Sequence, residues 1–331
     1  MKKYYFVFLF VCLFSNISFA DFKKIKKKAK VNNPEIIFPI KKNKEKCITD
    51  LYISPDVNYV KPVLKVEAPS GYGLDNRFDY ALSKFEDLSF PCSGGNLEAC
   101  KNVKVVILDW AKNNAALRTG PSDGEGKHWN DTLTVNLYVA SPMIAAYSFV
   151  KQSMKIPKAE DKIIKDWLKK IVKKNQHLMY NYSNYKAGSG ATGTPKRAHN
   201  HALSSAISHM QLGILLNDNK LFRTAFKNFE TAIKYQRKDG SMPIETRRGG
   251  RAMFYQARAM NALAVIAIMA EHQGYNIWNY EYKGKNYHNI VKFFIDFTEN
   301  NEIVFKYKIS YLFKSKLIVD LILFAGVRVK Y

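Results

Sequence analysis

Arginine, histidine, asparagine and tyrosine crowd into one stretch of this chain. Seven of its ten arginines lie between Arg197 and Arg258, although lysine dominates elsewhere. The stretch opens with Lys196-Arg197-Ala198-His199-Asn200-His201 and closes with Arg247-Arg248-Gly249-Gly250-Arg251-Ala252-Met253-Phe254-Tyr255-Gln256. Its acids are Asp218, Glu230, Asp239 and Glu245 alone. Arginine presents a planar fork that matches a carboxylate, where lysine presents a mobile point charge. Several arginines with a His, an amide and a Tyr, and so few acids, describe a site for an acidic ligand.

Those groups suit one reaction in particular. A uronic acid residue in a polysaccharide carries a carboxylate at C6, and neutralising it acidifies the C5 proton. A base can then remove that proton, and the C4–O4 bond breaks by β-elimination. The site needs cationic or amide donors at the carboxylate, a base at C5 and an acid for the leaving oxygen. Electrostatic stabilisation of the enolate-like intermediate is the largest contribution. A glycoside hydrolase instead needs two spaced carboxylic acids, and this stretch is poor in them. No Cys or carboxylate set accompanies His199 and His201 at metal-binding spacing, so neither a metal nor another cofactor is expected.

The elements that must position these groups read as helical. From Arg77 onward, apolar residues recur at helical spacing: Phe78, Leu82 and Phe85, then Val103, Val106, Ile107 and Trp110. Leu133 to Phe149 is an apolar helix that Pro142 should kink. Ile163, Trp167, Leu168, Ile171 and Val172 mark the next helix, and a Gly/Ser/Tyr-rich loop from Tyr180 to Thr194 leads into Asn200 and His201. Leu203, Ala206, Ile207, Met210 and Ile214 then pair with Phe222, Phe226, Phe229 and Ile233, and Asp239-Gly240 closes that pair. Leu263 to Met269 builds a last strong helix. Period-2 strands are not evident over 77–280, so the fold expected is all-α, a bundle or toroid of antiparallel helix pairs. On a helix, Arg251, Tyr255 and Arg258 would share one face, with Arg248 two turns from Tyr255. Such a face suits a ligand site or a solvated basic stripe.

The N-terminal quarter differs. Lys2 and Lys3, the apolar run Tyr4 to Phe14 and Ser18-Phe19-Ala20 make 1–20 a secretory signal peptide, too short to span a bilayer. Residues 21–76 read as a basic, extended arm, solvated at its lysines, with Tyr72 in a Gly/Ser loop that could cover a cleft. Residues 77–331 form the main domain. Export makes Cys47, Cys92 and Cys100 candidates for a disulfide. Cys92–Cys100 would close a small loop and Cys47–Cys100 would pin the arm; the spacing does not choose between them. The apolar run 317–327, broken by Asp320, reads as a packed terminal element. The net charge of +24 suits a polyanion.

Four ordered segments carry a resemblance: Lys196 to His201, Leu216-Asn217-Asp218-Asn219-Lys220-Leu221-Phe222, Asp239-Gly240-Ser241-Met242-Pro243-Ile244-Glu245, and Arg248-x-x-Arg251-Ala252-x-x-Tyr255. Together they resemble the periplasmic alginate lyase family, the α/α-barrel poly-mannuronate lyases, over roughly 85–280. The resemblance implies an α/α barrel, an incomplete toroid of antiparallel helix pairs. It implies Asn200 and Arg248 at the C6 carboxylate, His201 assisting, and Tyr255 as acid and also base. His201 becomes the base where H5 and O4 lie on opposite sides, as in guluronate. Arg251, His199, Tyr72, Trp129 and Lys127 would contact substrate, and Cys47 and Cys100 match the positions of a family disulfide. Where the family reads Asn-Asn-His-x-Tyr-Trp, this chain has His199-Asn200-His201-Ala202-Leu203-Ser204 and lacks the aromatic pair. Two alternatives therefore stay open: a polyuronate-binding protein with weak or no turnover, and a lyase for a related uronan such as glucuronan. The partner expected is an acidic polysaccharide, with no nucleic acid and no stable membrane anchor, for a periplasmic monomer.

Overall fold

The structure is a computed structural model. It describes residues 19–40, 61–66, 76–119, 135–180 and 196–299. Residues 1–18, Cys47, Tyr72, Lys127, Trp129 and the 317–327 run lie outside the described residues.

The architecture is a set of antiparallel helix pairs. Helices α2 (Asn76–Ser93) and α3 (Leu97–Lys112) form one pair, and α3 also packs on α4 (Ser141–Ser153) and α5 (Lys158–Tyr180). Helix α6 (Asn200–Leu216) lies against α5, α7 (Asn219–Tyr235) and α9 (Ala252–His272). A single turn, α8 (Pro243–Thr246), precedes α9, and α10 (Tyr287–Glu299) packs on α9. The one sheet among the described residues is a parallel pairing of β1 (Lys65–Val66) with β2 (Arg118–Thr119).

Sequence chemistry explains why the helices start and stop where they do. Asn96 caps α3 by accepting from Ala99 N at 3.0 Å. Asn217 ends α6 in the left-handed conformation at φ 55°. Asp218 then caps α7 by accepting from Lys220 N and Leu221 N at 2.8 and 3.0 Å. The Leu216-to-Phe222 segment is thus a helix hairpin written in cap residues. Gly213 lets the two helices of that hairpin touch, because a Cβ there would lie 2.4 Å from Phe222 N. At Pro142, where a kink was expected, the helical winding changes. A π-helical stretch, Asn136–Ala140, widens the turn before α4, so Pro142 falls in the first turn, where its missing N–H costs nothing.

One helix is apolar nearly all round. Residues Gly249–His272 are long and apolar enough to cross a membrane, yet 67% of that window is buried inside the protein. Helix α9 is therefore a core wall, and with α6 it carries the residues singled out above.

Two expectations change. The arm is not extended throughout residues 19–40, although Lys23, Lys24, Lys27, Lys28 and Lys30 are exposed as expected. Its first part is helix α1 (Phe19–Lys28), and Phe22 is fully buried. The Phe22 ring stacks on Tyr280 at 3.9 Å between centroids and on Phe229 at 6.2 Å. Lys26 pairs with Glu230, which also takes Lys234 at 2.9 Å. Beyond α1 the chain runs as a strap. Gln273 Oε1 accepts from Asn32 N at 3.0 Å and Asn33 N at 2.8 Å, while its Nε2 donates to Ile36 O at 2.9 Å. Ser148 Oγ accepts from Ile37 N at 3.0 Å. The second change is the disulfide. Cys100 is bonded to Cys92, not to Cys47. Cys92 ends α2 and Cys100 sits in the first turn of α3, so the turn at Gly94-Gly95 brings their Cα atoms to 4.7 Å, within the range a disulfide spans.

Candidate functional site

The turn before α6 and the turn before α9 meet at their N-terminal ends. His199 occupies the position just before α6 in extended geometry, with φ −76° and ψ 143°, and is 2% exposed. Asn200 and His201 follow in the first turn, each 1% exposed. On the facing side, the 3₁₀ turn Gly249–Arg251 sets Arg248 just ahead of α9, and Tyr255 lies in the first turn of that helix, 4% exposed.

Arg248 ties the two turns together. Its Nη2 lies 3.0 Å from His199 Nε2, and its Cζ sits 3.9 Å from the Tyr255 ring centroid. A guanidinium can only donate, so His199 Nε2 accepts and the imidazole is neutral. The electrostatics agree: burial, with Arg248 adding to it, pushes His199 down to about 3. His201 lies edge-on to His199 at 4.5 Å between ring centroids. Burial, then His199, Arg248 and Arg258, hold His201 well below the usual histidine range. Both histidines are thus neutral at physiological pH, and the positive charge resides on arginine.

The site also holds a carboxylate that the sequence reading passed over. Glu245, in α8, is fully buried and accepts from Asn200 N at 2.8 Å and Asn200 Nδ2 at 2.7 Å. Burial pushes it up to about 7, while Arg248 and the two Asn200 donors oppose that rise. The one available sequence clue was its position three residues before Arg248, inside the quoted Asp239-to-Glu245 segment.

Asn200, His201, Arg248 and Tyr255 are therefore assembled as one cluster. His199 joins it as the partner of Arg248. Arg251 ends the 3₁₀ turn, directly ahead of the helix that carries Tyr255, and is exposed. Arg258 is the second arginine that matters, stacked over Phe254 at 4.8 Å and close enough to act on His201. Leu203 and Ser204, where the resemblance places an aromatic pair, are respectively fully buried and half-buried.

Such a cluster can bind an anion through Arg248 and an amide, and can move a proton through a phenol. Fold and cluster together define an α/α-barrel protein with a cluster of arginine, histidine, asparagine and tyrosine at the ends of two of its helices. The alginate lyase family model matches residues 106–304, and the chain belongs to that family. An alginate lyase of Pseudomonas syringae pv. tomato is 28% identical over 177 residues, which cover 52% of this chain and 42% of that protein. A polysaccharide lyase of Stenotrophomonas maltophilia is 29% identical over 111 residues, 34% of this chain and 30% of that one. The match thus spans less than half the length of these curated relatives. Among solved structures, alginate lyase A1-III from Sphingomonas species A1 superposes with a TM-score of 0.65 at 18% identity, over 86% of this chain and 84% of that one. A tyrosine-to-phenylalanine variant of A1-III complexed with tetrasaccharide gives 0.62 over 89% and 81%. These likenesses establish the α/α-barrel fold.

Proposed function

We propose that this chain is an exported polysaccharide lyase that cleaves a polyuronate of the poly-mannuronate kind by β-elimination. The observation that carries the reading is Arg248, which bonds a neutral His199 at 3.0 Å and lies 3.9 Å over the Tyr255 ring. A cation for the carboxylate and a phenol for the proton thus lie side by side, the two kinds of group that removal of a proton α to a carboxylate calls on. Family membership and relatives that are named alginate lyase and polysaccharide lyase support the same reading.

In this mechanism Arg248 and Asn200 bind the C6 carboxylate and take up the charge that develops as C5–H breaks. Tyr255 removes the C5 proton and returns one to O4, since mannuronate and glucuronate place both on the same side. His201, neutral in its buried setting, assists at the carboxylate as a hydrogen-bonding group. For guluronate, where the two positions lie on opposite faces, His201 would take the role of base. The N-terminal export segment puts the reaction in the periplasm, and residues 77–331 form the lyase domain.

The test is direct. The mature protein is incubated with poly-mannuronate, poly-guluronate and glucuronan, and the ultraviolet absorbance of the unsaturated uronate product is followed. A rise on poly-mannuronate, with smaller or no rise on poly-guluronate, is expected. Binding of all three polymers without any rise would identify a binding protein instead.

A further inference from the structure

Two donors of one residue converge on Glu245, and this has a consequence for the amide beside them. Asn200 N and Asn200 Nδ2 reach separate oxygens, Oε1 at 2.8 Å and Oε2 at 2.7 Å. An ionised carboxylate only accepts. The amide of Asn200 therefore cannot turn over, because that would set Oδ1 against a carboxylate oxygen. Nδ2 keeps its second hydrogen, pointing away from Glu245, and Oδ1 is fixed with it. A side chain with one acceptor would satisfy just one of the two donors.

We propose that Glu245 is a positioning residue of the site: its two oxygens fix which edge of the Asn200 amide meets the substrate carboxylate. The proposal rests on the function given above. Cost argues in the same direction. A carboxylate that is fully buried is expensive to keep, and a helix N-terminus can be capped by a neutral Ser, Thr or Asn. Placing a buried acid where a neutral cap would serve stability better points to what the acid does for Asn200.

The surroundings define when the lock holds. Arg248 acts on Glu245 from the following turn and favours its ionised form. His199 and His201 flank Asn200 at the start of α6 and are neutral. From α9, Gln256 Oε1 accepts from Met242 N at 3.0 Å, and Tyr255 lies beneath Arg248. Arg237 ties off Thr246 Oγ1 at 2.8 Å. Burial pushes Glu245 up to about 7. Once protonated it can donate as well as accept, so Asn200 is free to turn over and the lock is released on the acid side of neutrality.

The experiment has two arms. In the first, the Asn200 side-chain amide resonances, assigned by their loss in Asn200→Ala, are followed by NMR through neutral pH in the intact protein. They should shift with a midpoint near neutrality in the wild type, and that titration should vanish in Glu245→Gln. In the second arm, kcat/KM on poly-mannuronate is measured for Glu245→Gln, Asn200→Ala and the double variant, with melting temperature alongside. A misplaced binding group costs roughly 10²-fold in rate, and that loss is expected for Glu245→Gln. The double variant should be no slower than Asn200→Ala alone, since Glu245 acts through Asn200. Amide resonances that ignore pH, or single losses that multiply in the double variant, would overturn the proposal. If the wild type cleaves no uronate polymer, the functional reading fails, and the NMR arm, which needs no substrate, still decides the role of Glu245.

Discussion

The strap at residues 22–40 and the cluster between His199 and Tyr255 are built from similar residue types and do different things with them. In the strap, cations meet carboxylates. Lys26 and Lys234 pair with Glu230, and Lys165 and Lys151 reach Glu35 at 2.8 and 3.2 Å. These charges close on one another and fasten the strap to α4, α5 and α7. In the cluster, Arg248 instead meets a neutral imidazole and an aromatic face. Glu245, also in the cluster, accepts from Asn200 through both oxygens. Carboxylates fasten the lysines of the strap, whereas an imidazole and an aromatic ring orient the guanidinium of Arg248.

That contrast predicts how each region breaks. Arg248→Lys keeps the charge but loses the fork and the flat contact with Tyr255, so binding and turnover should fall together. Removing one donor to a developing oxyanion typically costs ~10²–10³-fold in kcat. Melting temperature should hardly move, and a variant that loses stability while keeping its rate would put Arg248 with the strap. Phe22→Ala should do the reverse. A buried Phe truncated to Ala costs about 3–5 kcal/mol, read by denaturant unfolding, while kcat of the folded fraction stays at the wild-type value.

Acid separates the regions further. His199 sits at about 3 in the fold, below its ordinary 6.5, and His201 is lowered too. The unfolded chain therefore binds protons that the folded chain refuses. Stability should fall as pH drops below about 6.5, by up to about 1.4 kcal/mol per pH unit for each such histidine. Glu245 works the other way. Its folded value of about 7 lies above the ordinary 4.5, so its contribution is complete below 4.5 and is lost as pH rises toward 7. With two histidines against one carboxyl, the net slope between 4.5 and 6.5 should be a gain of stability with pH. Melting curves across that window check it, and His199→Asn should flatten them. The smallest effect belongs to Lys26→Met. Glu230 keeps Lys234, so the loss should be about 1 kcal/mol or less, with no change in rate.

What could be read from the sequence follows the same division. The helices were legible because apolar spacing is local, as in Phe222, Phe226, Phe229 and Ile233, all fully buried. Asn200, His201, Arg248 and Tyr255 were legible by type and order. The start of the helix before Tyr255 was less legible: α periodicity reads back through Gly249-Gly250 to Arg248, but the chain makes a 3₁₀ turn there and α9 begins at Ala252. Phe22, Ile25 and Ala29 form an apolar face at helical spacing, but the lysines between them hid it, and what they bury against lies some two hundred residues away. Glu245 looked like a stray acid in a basic stretch. Nothing local shows that Asn200 turns both its donors toward it.

The central claim is that Tyr255 moves the proton beside Arg248, and Tyr255→Phe on poly-mannuronate tests it most directly. The change keeps the ring on which Arg248 rests and removes the hydroxyl alone. General acid–base participation is worth ~10²–10⁴-fold, and a residue serving both steps should lie at the upper end. The unsaturated-uronate signal should therefore fall by about that factor, while polymer affinity and melting temperature stay close to wild type. Turnover near the wild-type rate on poly-mannuronate would make Tyr255 a packing residue and contradict the account.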